Sequence, residues 1–258
     1  MYITPGKMTS YEVYSDYVGS ICSTKSIDKF KSDLRYTHML EHVSKPQGEV
    51  YLECISQKTP ISRDEVVNFC AINDANGSPK KEEFHKYIPG VTLSPSSLRY
   101  IYHAHLILSH MKSFGTNESK DIVEIGGGYG GLCLAVHYFA PKYGVKINSY
   151  TICDLTNIIC LQELYLNKVN PNMKVNFVDA ATYGANIPHD KMFLISNYCF
   201  SEISPEHQAK YREHLFPKVT HGFFAWNCIP IYDIGIRLIH VETEVPNTGG
   251  AFNKYVWF

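Results

Sequence analysis

At 258 residues the chain is long enough to bury a full α/β core and too short for two large domains joined by a long linker. It is 45% hydrophobic and 19% charged, the composition of an ordinary globular protein. Its 24 basic and 25 acidic residues leave a formal net charge of −1, which excludes a broad electrostatic surface for nucleic acid, since phosphate binding needs a concentrated excess of Lys and Arg.

Eight cysteines lie at positions 22, 54, 70, 133, 153, 160, 199 and 228, with no CxxC pair and no metal-ligand spacing. They read as reduced thiols, several of them small hydrophobes inside apolar runs, such as Cys133 and Cys153. The opening Met1-Tyr-Ile-Thr-Pro-Gly-Lys7 lacks a basic segment followed by an apolar one, and nowhere do about 18 apolar residues run together. A cytoplasmic protein without a membrane anchor is the expectation.

In chain order, residues 1–115 show helical patterns with polar interruptions and no regular series of strands. Ser62-Arg-Asp-Glu65 is a capping box leading into Val66, Val67 and Phe69, and Asn73 to Pro79 ends that helix. Ser94-Pro95 starts a second helix, through Leu98, Ile101, Leu108 and Met111 to the breaker Phe114-Gly115. This region is expected to pack on, and partly cover, the domain that follows it at 116–258, and to serve as a cap, a substrate-binding element or an oligomerisation surface.

From Lys120 onward β-type runs alternate with helical stretches, the pattern of βαβ units and a mostly parallel sheet. The predicted strands are Ile122 to Ile125, Ser149 to Cys153, Val175 to Val178, Phe193 to Asn197, Gly222 to Trp226, Arg237 to Val241 and Lys254 to Phe258. The last two are separated by Pro246-Asn-Thr-Gly-Gly250, too short for a crossover helix, so they should be antiparallel neighbours. The fold class is α/β: a doubly wound, Rossmann-like, seven-stranded sheet with an antiparallel last strand and an N-terminal helical region.

The strand at Ile122 feeds into Gly126-Gly-Gly-Tyr-Gly-Gly131 and then a helix. Glycine is needed at such a turn so that a ligand can approach the backbone. Two templates fit. Gly126, Gly128 and Gly131 spell GxGxxG, the dinucleotide fingerprint; Glu124, Gly126, Gly128 and Gly130 spell ExGxGxG, the fingerprint of S-adenosylmethionine binding. Three carboxylates bear on the choice. Glu124, two residues before the loop, suits a cationic sulfonium with its ammonium group and would repel a pyrophosphate. Asp154, with Leu155, ends the second strand, where a carboxylate takes ribose hydroxyls and serves NAD equally well. Asp179, with Ala180, ends the third, near where an adenine amino group would lie. Together they favour the methyl donor, with Gly127 and Asn197 completing the expected cofactor contacts.

At this point the residues resemble a specific group. Glu124-Ile-Gly-Gly-Gly-Tyr-Gly-Gly131, Tyr150-Thr-Ile-Cys-Asp-Leu155, Leu161-Gln-Glu-Leu-Tyr-Leu166 and Ser196-Asn-Tyr-Cys-Phe-Ser-Glu202 look like the sugar O-methyltransferase family of the class I superfamily, over roughly residues 90–258. Thr156 departs from that pattern, which often carries Pro after Asp-Leu. The resemblance implies S-adenosylmethionine as donor, S-adenosylhomocysteine as product, and a hydroxyl of a nucleotide sugar or glycan as acceptor. The charge balance and the lack of a long apolar run lead to the expectation of no nucleic-acid and no membrane partner; a homodimer is the assembly to look for.

Methyl transfer needs an aligned nucleophile and, for a sugar hydroxyl, a general base. Ligands in doubly wound sheets lie outside the carboxyl ends of the strands. Glu202 after the fourth strand is the first candidate base and Glu244, after the sixth and on the same face as Glu242, the second. Tyr198, Asn227, Asn253 and the helical Arg99 are the candidate acceptor-binding residues. His221 begins its strand on the far side and is set aside; His85, His103 and His105 are a reserve. The carboxylates form no metal cluster in sequence, and a divalent metal stays open. So do three alternatives: methylation of another small molecule, an NAD-linked oxidoreductase, and an inactive binding member of the fold.

Overall fold

The computed structural model describes residues 10–115 and 119–258. The opening Met1 to Lys7 and the domain boundary at 116 lie outside the described residues. In chain order come α1 (Ser10–Thr24), α2 (Leu34–Thr37), α3 (Lys45–Lys58), α4 (Arg63–Asn73), the hairpin β1 (Glu82–Phe84) and β2 (Ile88–Leu93), and α5 (Pro95–Ser113). Then follow β3 (Lys120–Ile125), α6 (Gly131–Tyr143), β4 (Ile147–Asp154), α7 (Thr156–Val169), β5 (Asn176–Asp179), β6 (Met192–Asn197), α8 (Pro205–His214), β7 (Val219–Trp226), β8 (His240–Thr243) and β9 (Lys254–Trp257).

The local rules hold at most helix starts. Ser62 and Glu65 form the expected capping box on α4, and Ser44 with Gln47 forms another on α3. Ser94 occupies the cap position of α5 without capping through its hydroxyl; its backbone N–H instead donates to Asp74 Oδ2 at 2.9 Å. The hairpin of β1 and β2 was not legible as strands, because one partner has three residues and Pro89-Gly90 interrupts the other.

The large sheet has the order β5-β4-β3-β6-β7-β9-β8. Pairs among β3 to β7 are parallel, and β9 is antiparallel to both of its neighbours, β7 and β8. The sheet is therefore the doubly wound, Rossmann-like, seven-stranded one expected. One strand is displaced: the sixth spans His240–Thr243 rather than Arg237 to Val241, because Ile236 and Leu238 pack into a core instead of joining the ladder.

Alternation along the strands separates two cores. Ile122, Tyr150, Ile152, Phe193, Ile195, Phe223 and Tyr255 face one core, built with α1 and α3 to α7. Val123, Ile125, Leu194, Phe224, Trp226 and Val256 face the other, with Tyr211 of α8, Leu215 and Phe216. The N-terminal helices thus share a continuous apolar core with one face of the sheet. The thiol expectation needs correction. Cys22 of α1 and Cys160 of α7 form a disulfide across 138 residues of sequence, their Cα atoms 6.0 Å apart, while the other six cysteines are free. No spacing rule links two positions brought together only by helix packing. Among the described residues, no helix is long and apolar enough to cross a membrane.

Candidate active site

A cavity of about 600 Å³ opens over the carboxyl ends of β3, β4, β5 and β6, the position such sheets reserve for ligands. Its floor is the strand-to-helix turn after β3. Gly126 has φ +75°, and a Cβ there would overlap the Cys199 side chain, so only glycine closes the turn at this point. Gly126 and Gly128 line the cavity; Gly127 and Gly130 shape the loop without lining it, Gly130 as the N-cap of α6 with φ +94°.

Asp154 is the best-anchored polar group in the cavity. Its Oδ2 accepts from Gly127 N at 2.9 Å and Gln162 Nε2 at 2.8 Å, and its Oδ1 from Leu155 N at 2.8 Å. Burial raises its pKa to about 6 against the pull of those three bonds. A carboxylate has about four lone-pair sites, so one position remains for a ligand hydroxyl. Gln162 also donates to Gly128 O at 2.9 Å, bridging α7, β4 and the glycine loop. Sequence reasoning gave this residue no role; its signal was a spacing of two helical turns from Asp154.

The other two strand-end carboxylates are not in the cavity. Glu124 alternates with Val123 and Ile125, and therefore faces the helical core, where it is buried and accepts from Tyr150 OH at 2.7 Å. Burial pushes its pKa up to about 8, against the Tyr150 bond, so at neutral pH it is largely protonated and offers a cationic ligand nothing. Asp179 turns outward to cap the short turn at 180–182. It accepts from Ala181 N at 2.8 Å and from Thr156 Oγ1 at 2.6 Å; the Thr156 bond first, then the amide, holds its pKa below the usual range. Ala180, Ala181 and Leu155 do line the cavity.

β6 ends in Asn197, Tyr198 and Cys199, all lining, with Glu202 beyond them on the open side. Glu202 Oε1 accepts from Asn227 Nδ2; desolvation raises its pKa, with that bond opposing. Asn227 is spent on this bond and on Ser201 Oγ, and does not line the cavity. Glu244 and Asn253 also lie outside the lining. Glu244 is buried, accepting from Tyr198 OH, Thr248 N (2.8 Å), Thr248 Oγ1 and Asn253 Nδ2 (2.8 Å), which ties down the loop before β9. Both Asn253 amide hydrogens go to Glu244 Oε2 and Thr248 Oγ1, so the structure brings neither Glu244 nor Asn253 into the cavity lining. Arg99 faces inward from α5, buried, donating to Leu40 O at 3.1 Å with its guanidinium 5.5 Å from the Tyr198 ring. It braces the wall from behind.

The reserve histidines separate. His103 reaches Asn197, whereas His105 bonds Tyr143 OH at 2.7 Å and His85 pairs with Glu83 on the surface. The cover of the cavity comes from Tyr11 and Tyr14 of α1 and from Met39 and Leu40. Tyr183, His207 and Tyr211 close the side toward α8. Sequence reasoning missed this apolar set, whose residue types carry no motif. Among the described residues no Lys or Arg lines the cavity, and no group of three or more His, Cys, Asp or Glu is arranged to hold a metal ion.

No protein-family model matches the chain, and no curated protein matches it. Solved structures do. A SAM-dependent methyltransferase from Aquifex aeolicus is 17% identical, with 57% of this chain covering 85% of that one at a TM-score of 0.42. An S-adenosylmethionine-dependent methyltransferase from Clostridium acetobutylicum is 15% identical, with 46% of this chain covering 48% of that one at a TM-score of 0.36. The chain thus spans about half the length of the second protein. Likeness at this level leaves the functional reading to the site itself.

Proposed function

We propose that the chain is an S-adenosylmethionine-dependent O-methyltransferase acting on a sugar hydroxyl. The observation that carries the donor is Asp154, a half-buried carboxylate clamped to the glycine loop through Gly127 N and Gln162, beneath an apolar cover. Leu40 Cδ1 lies 3.7 Å from where a Cβ on Gly128 would sit. Apolar contact over the loop suits a thioether or sulfonium arm, and leaves the charged pyrophosphate of a dinucleotide without solvation.

The sheet order lays the residues out in sequence across the cavity. Ala180 and Ala181 after β5 would face the adenine, Asp154 on β4 a ribose hydroxyl, Gly126 and Gly128 after β3 the sulfur, and Asn197 on β6 the amino-acid end. When bound, the cofactor supplies an electrophilic methyl on a sulfonium. The chain's own part is to exclude water with Tyr11, Tyr14, Met39 and Leu40, and to hold the acceptor oxygen in line. Glu202, its pKa raised by desolvation, would take the proton that the acceptor hydroxyl loses when the methyl is transferred and the sulfonium leaves as the thioether.

The acceptor reading draws on the resemblance of Ser196 to Glu202. The tyrosine-rich lining agrees with it, because Tyr pairs an apolar ring with a polar edge as a sugar face does. With no Lys or Arg among the described residues that line the cavity, an uncharged sugar or glycan is favoured over a nucleotide sugar.

Isothermal titration against S-adenosylhomocysteine and NAD tests the donor. Binding of S-adenosylhomocysteine alone is expected; binding of NAD alone overturns the reading in favour of an oxidoreductase. A mass-shift screen of free sugars, glycans and nucleotide sugars with the methyl donor tests the acceptor: a gain of one methyl on an uncharged sugar, abolished in Glu202→Gln, supports it, and methylation only of amines or acids overturns it.

A further inference from the structure

Among the described residues, the large sheet ends on a strand whose outer edge is bare. β8 is last in the strand order, and all four of its residues, His240 to Thr243, are exposed. Its inner edge is taken by β9, with Val241 opposite Val256 and Glu242 opposite Tyr255. Further along the same register Glu244 N donates to Asn253 O at 3.3 Å. Hydrogen-bonded pairs alternate along an antiparallel ladder, so residue 242 also turns its N–H and C=O to β9, while Val241 and Thr243 turn theirs outward. Such an outward row is a template for another strand, and β8 carries neither the Lys nor the Pro that commonly blunts one. The surroundings are apolar as well. Ile239, Val241, Val245 and Phe252 are four of the eight large hydrophobic residues exposed on the described molecule.

The side chains decide what fits this edge. Alternation puts His240 and Glu242 on one face, where the His240 ring lies 5.1 Å from that of Trp257, and Val241 on the other. Within the strand His240 Nε2 reaches Glu242 Oε2 only at 3.4 Å. A second copy of β8 laid antiparallel, with the two-fold axis at Val241, lets Val241 exchange both backbone bonds with its own copy. His240 then falls opposite the partner's Glu242, and Glu242 opposite the partner's His240. These are the non-hydrogen-bonded positions, where side chains stand closest, about 4.5–5.5 Å between Cβ atoms. An imidazole has an N–H to give a carboxylate whether it is neutral or charged. Moving the axis to residue 240 or 242 would set His against His or Glu against Glu, so the side chains select the register. β5, at the opposite end of the sheet, holds Asn176 and Asp179 and no cation or imidazole to complement them.

We propose that β8 is a self-complementary dimerisation edge, through which two copies of this chain join their sheets antiparallel about Val241 with reciprocal contacts between His240 and Glu242. β8 stands three strand spacings, about 14 Å, from β6, so the pairing edge lies away from the cavity over β3 to β6. The inference is independent of what that cavity binds.

Sedimentation velocity of the full-length protein over a concentration series tests it, with circular dichroism as the check on folding. A dimer is expected for the wild type. Val241→Pro removes an outward N–H and spares the bonds to β9, at an edge position where proline is tolerated, and should give a folded monomer. His240→Glu sets carboxylates opposite each other twice and should weaken the dimer about tenfold. Adding Glu242→His to His240→Glu restores both contacts in the reverse sense and should bring the dimer back to within about threefold of wild type. That rescue is specific to an axis at Val241, since an edge that is merely damaged would not recover. A wild type that stays monomeric throughout the series overturns the proposal. So does a dimer that survives Val241→Pro or His240→Glu, or one that the double swap leaves weakened. Should Val241→Pro not fold, the charge swap decides alone.

Discussion

The two walls of the cavity are built on different principles. The strand-end wall places Gly126, Asp154, Asn197 and Glu202 at or just after the ends of strands; Asp154 and Glu202 are held mainly from neighbouring loops and helices of the sheet domain, and Asn197 by His103 of α5. The N-terminal cover places Tyr11, Tyr14, Met39 and Leu40 opposite them from more than eighty residues upstream. It is held by long-range ties: the Cys22–Cys160 disulfide, Asn157 Nδ2 on Ser15 Oγ at 2.7 Å, Arg99 on Leu40 O, and the buried Lys31, whose ammonium sits 4.1 Å over the ring of Tyr129 in the glycine loop. The polar recognition groups belong to the wall, while the cover supplies apolar surface. Damage to the wall should therefore abolish ligand binding in a folded protein, and damage to the cover should lower stability first.

The largest effect expected is on the wall. Asp154→Ala removes the ribose acceptor and takes a partner from Gly127 N, Leu155 N and Gln162, which keeps only its bond to Gly128 O; S-adenosylhomocysteine affinity should fall about 100-fold by titration, at unchanged fold by circular dichroism. Cys22→Ser attacks the cover. Loss of a cross-link closing 138 residues should cost about 2–4 kcal/mol in denaturant unfolding, with ligand affinity changed less than about threefold. A fall in affinity as large as that of Asp154→Ala would erase the distinction between the two walls.

Glu124 sharpens the comparison because it belongs to neither wall. Its pKa rises from 4.5 to about 8 on folding, so between those values the native state binds the extra proton. Stability should fall as pH rises through that window, by about 1.4 kcal/mol per pH unit or on the order of 5 kcal/mol across it, and be flat outside it. Glu124→Gln, which mimics the protonated form, should flatten the profile and leave S-adenosylhomocysteine binding intact. The smallest effect is the ligand's own pH dependence. Protonation of Asp154 below about 6 removes its acceptor, so affinity should drop roughly tenfold from pH 7 to pH 5 in wild type and be level in Asp154→Asn.

How legible the molecule was in its sequence follows the same division. The glycine loop, Asp154 and the antiparallel last strand could be read because each is a local pattern, a turn that only glycine permits or a loop too short for a helix. Glu124 and Asp179 were read as equivalents of Asp154 because all three sit at strand ends. Side-chain alternation turned the first into the core, and Thr156 with Ala181 drew the second outward as a cap. Glu244 and Asn253 were placed on the correct side of the sheet, but a spacing rule cannot show that the two bond each other and Thr248. The disulfide, the Gln162 bridge and the tyrosine cover depend on contacts between distant segments, which no local pattern encodes.

The most direct test of the account is the crystal structure of the protein with S-adenosylhomocysteine. The account predicts a ribose hydroxyl on Asp154, adenine beside Leu155 and Ala180, and the amino-acid end at Asn197, all beneath Tyr14 and Leu40. A ligand bound outside this cavity, or bound within it without contact to Asp154, would contradict it.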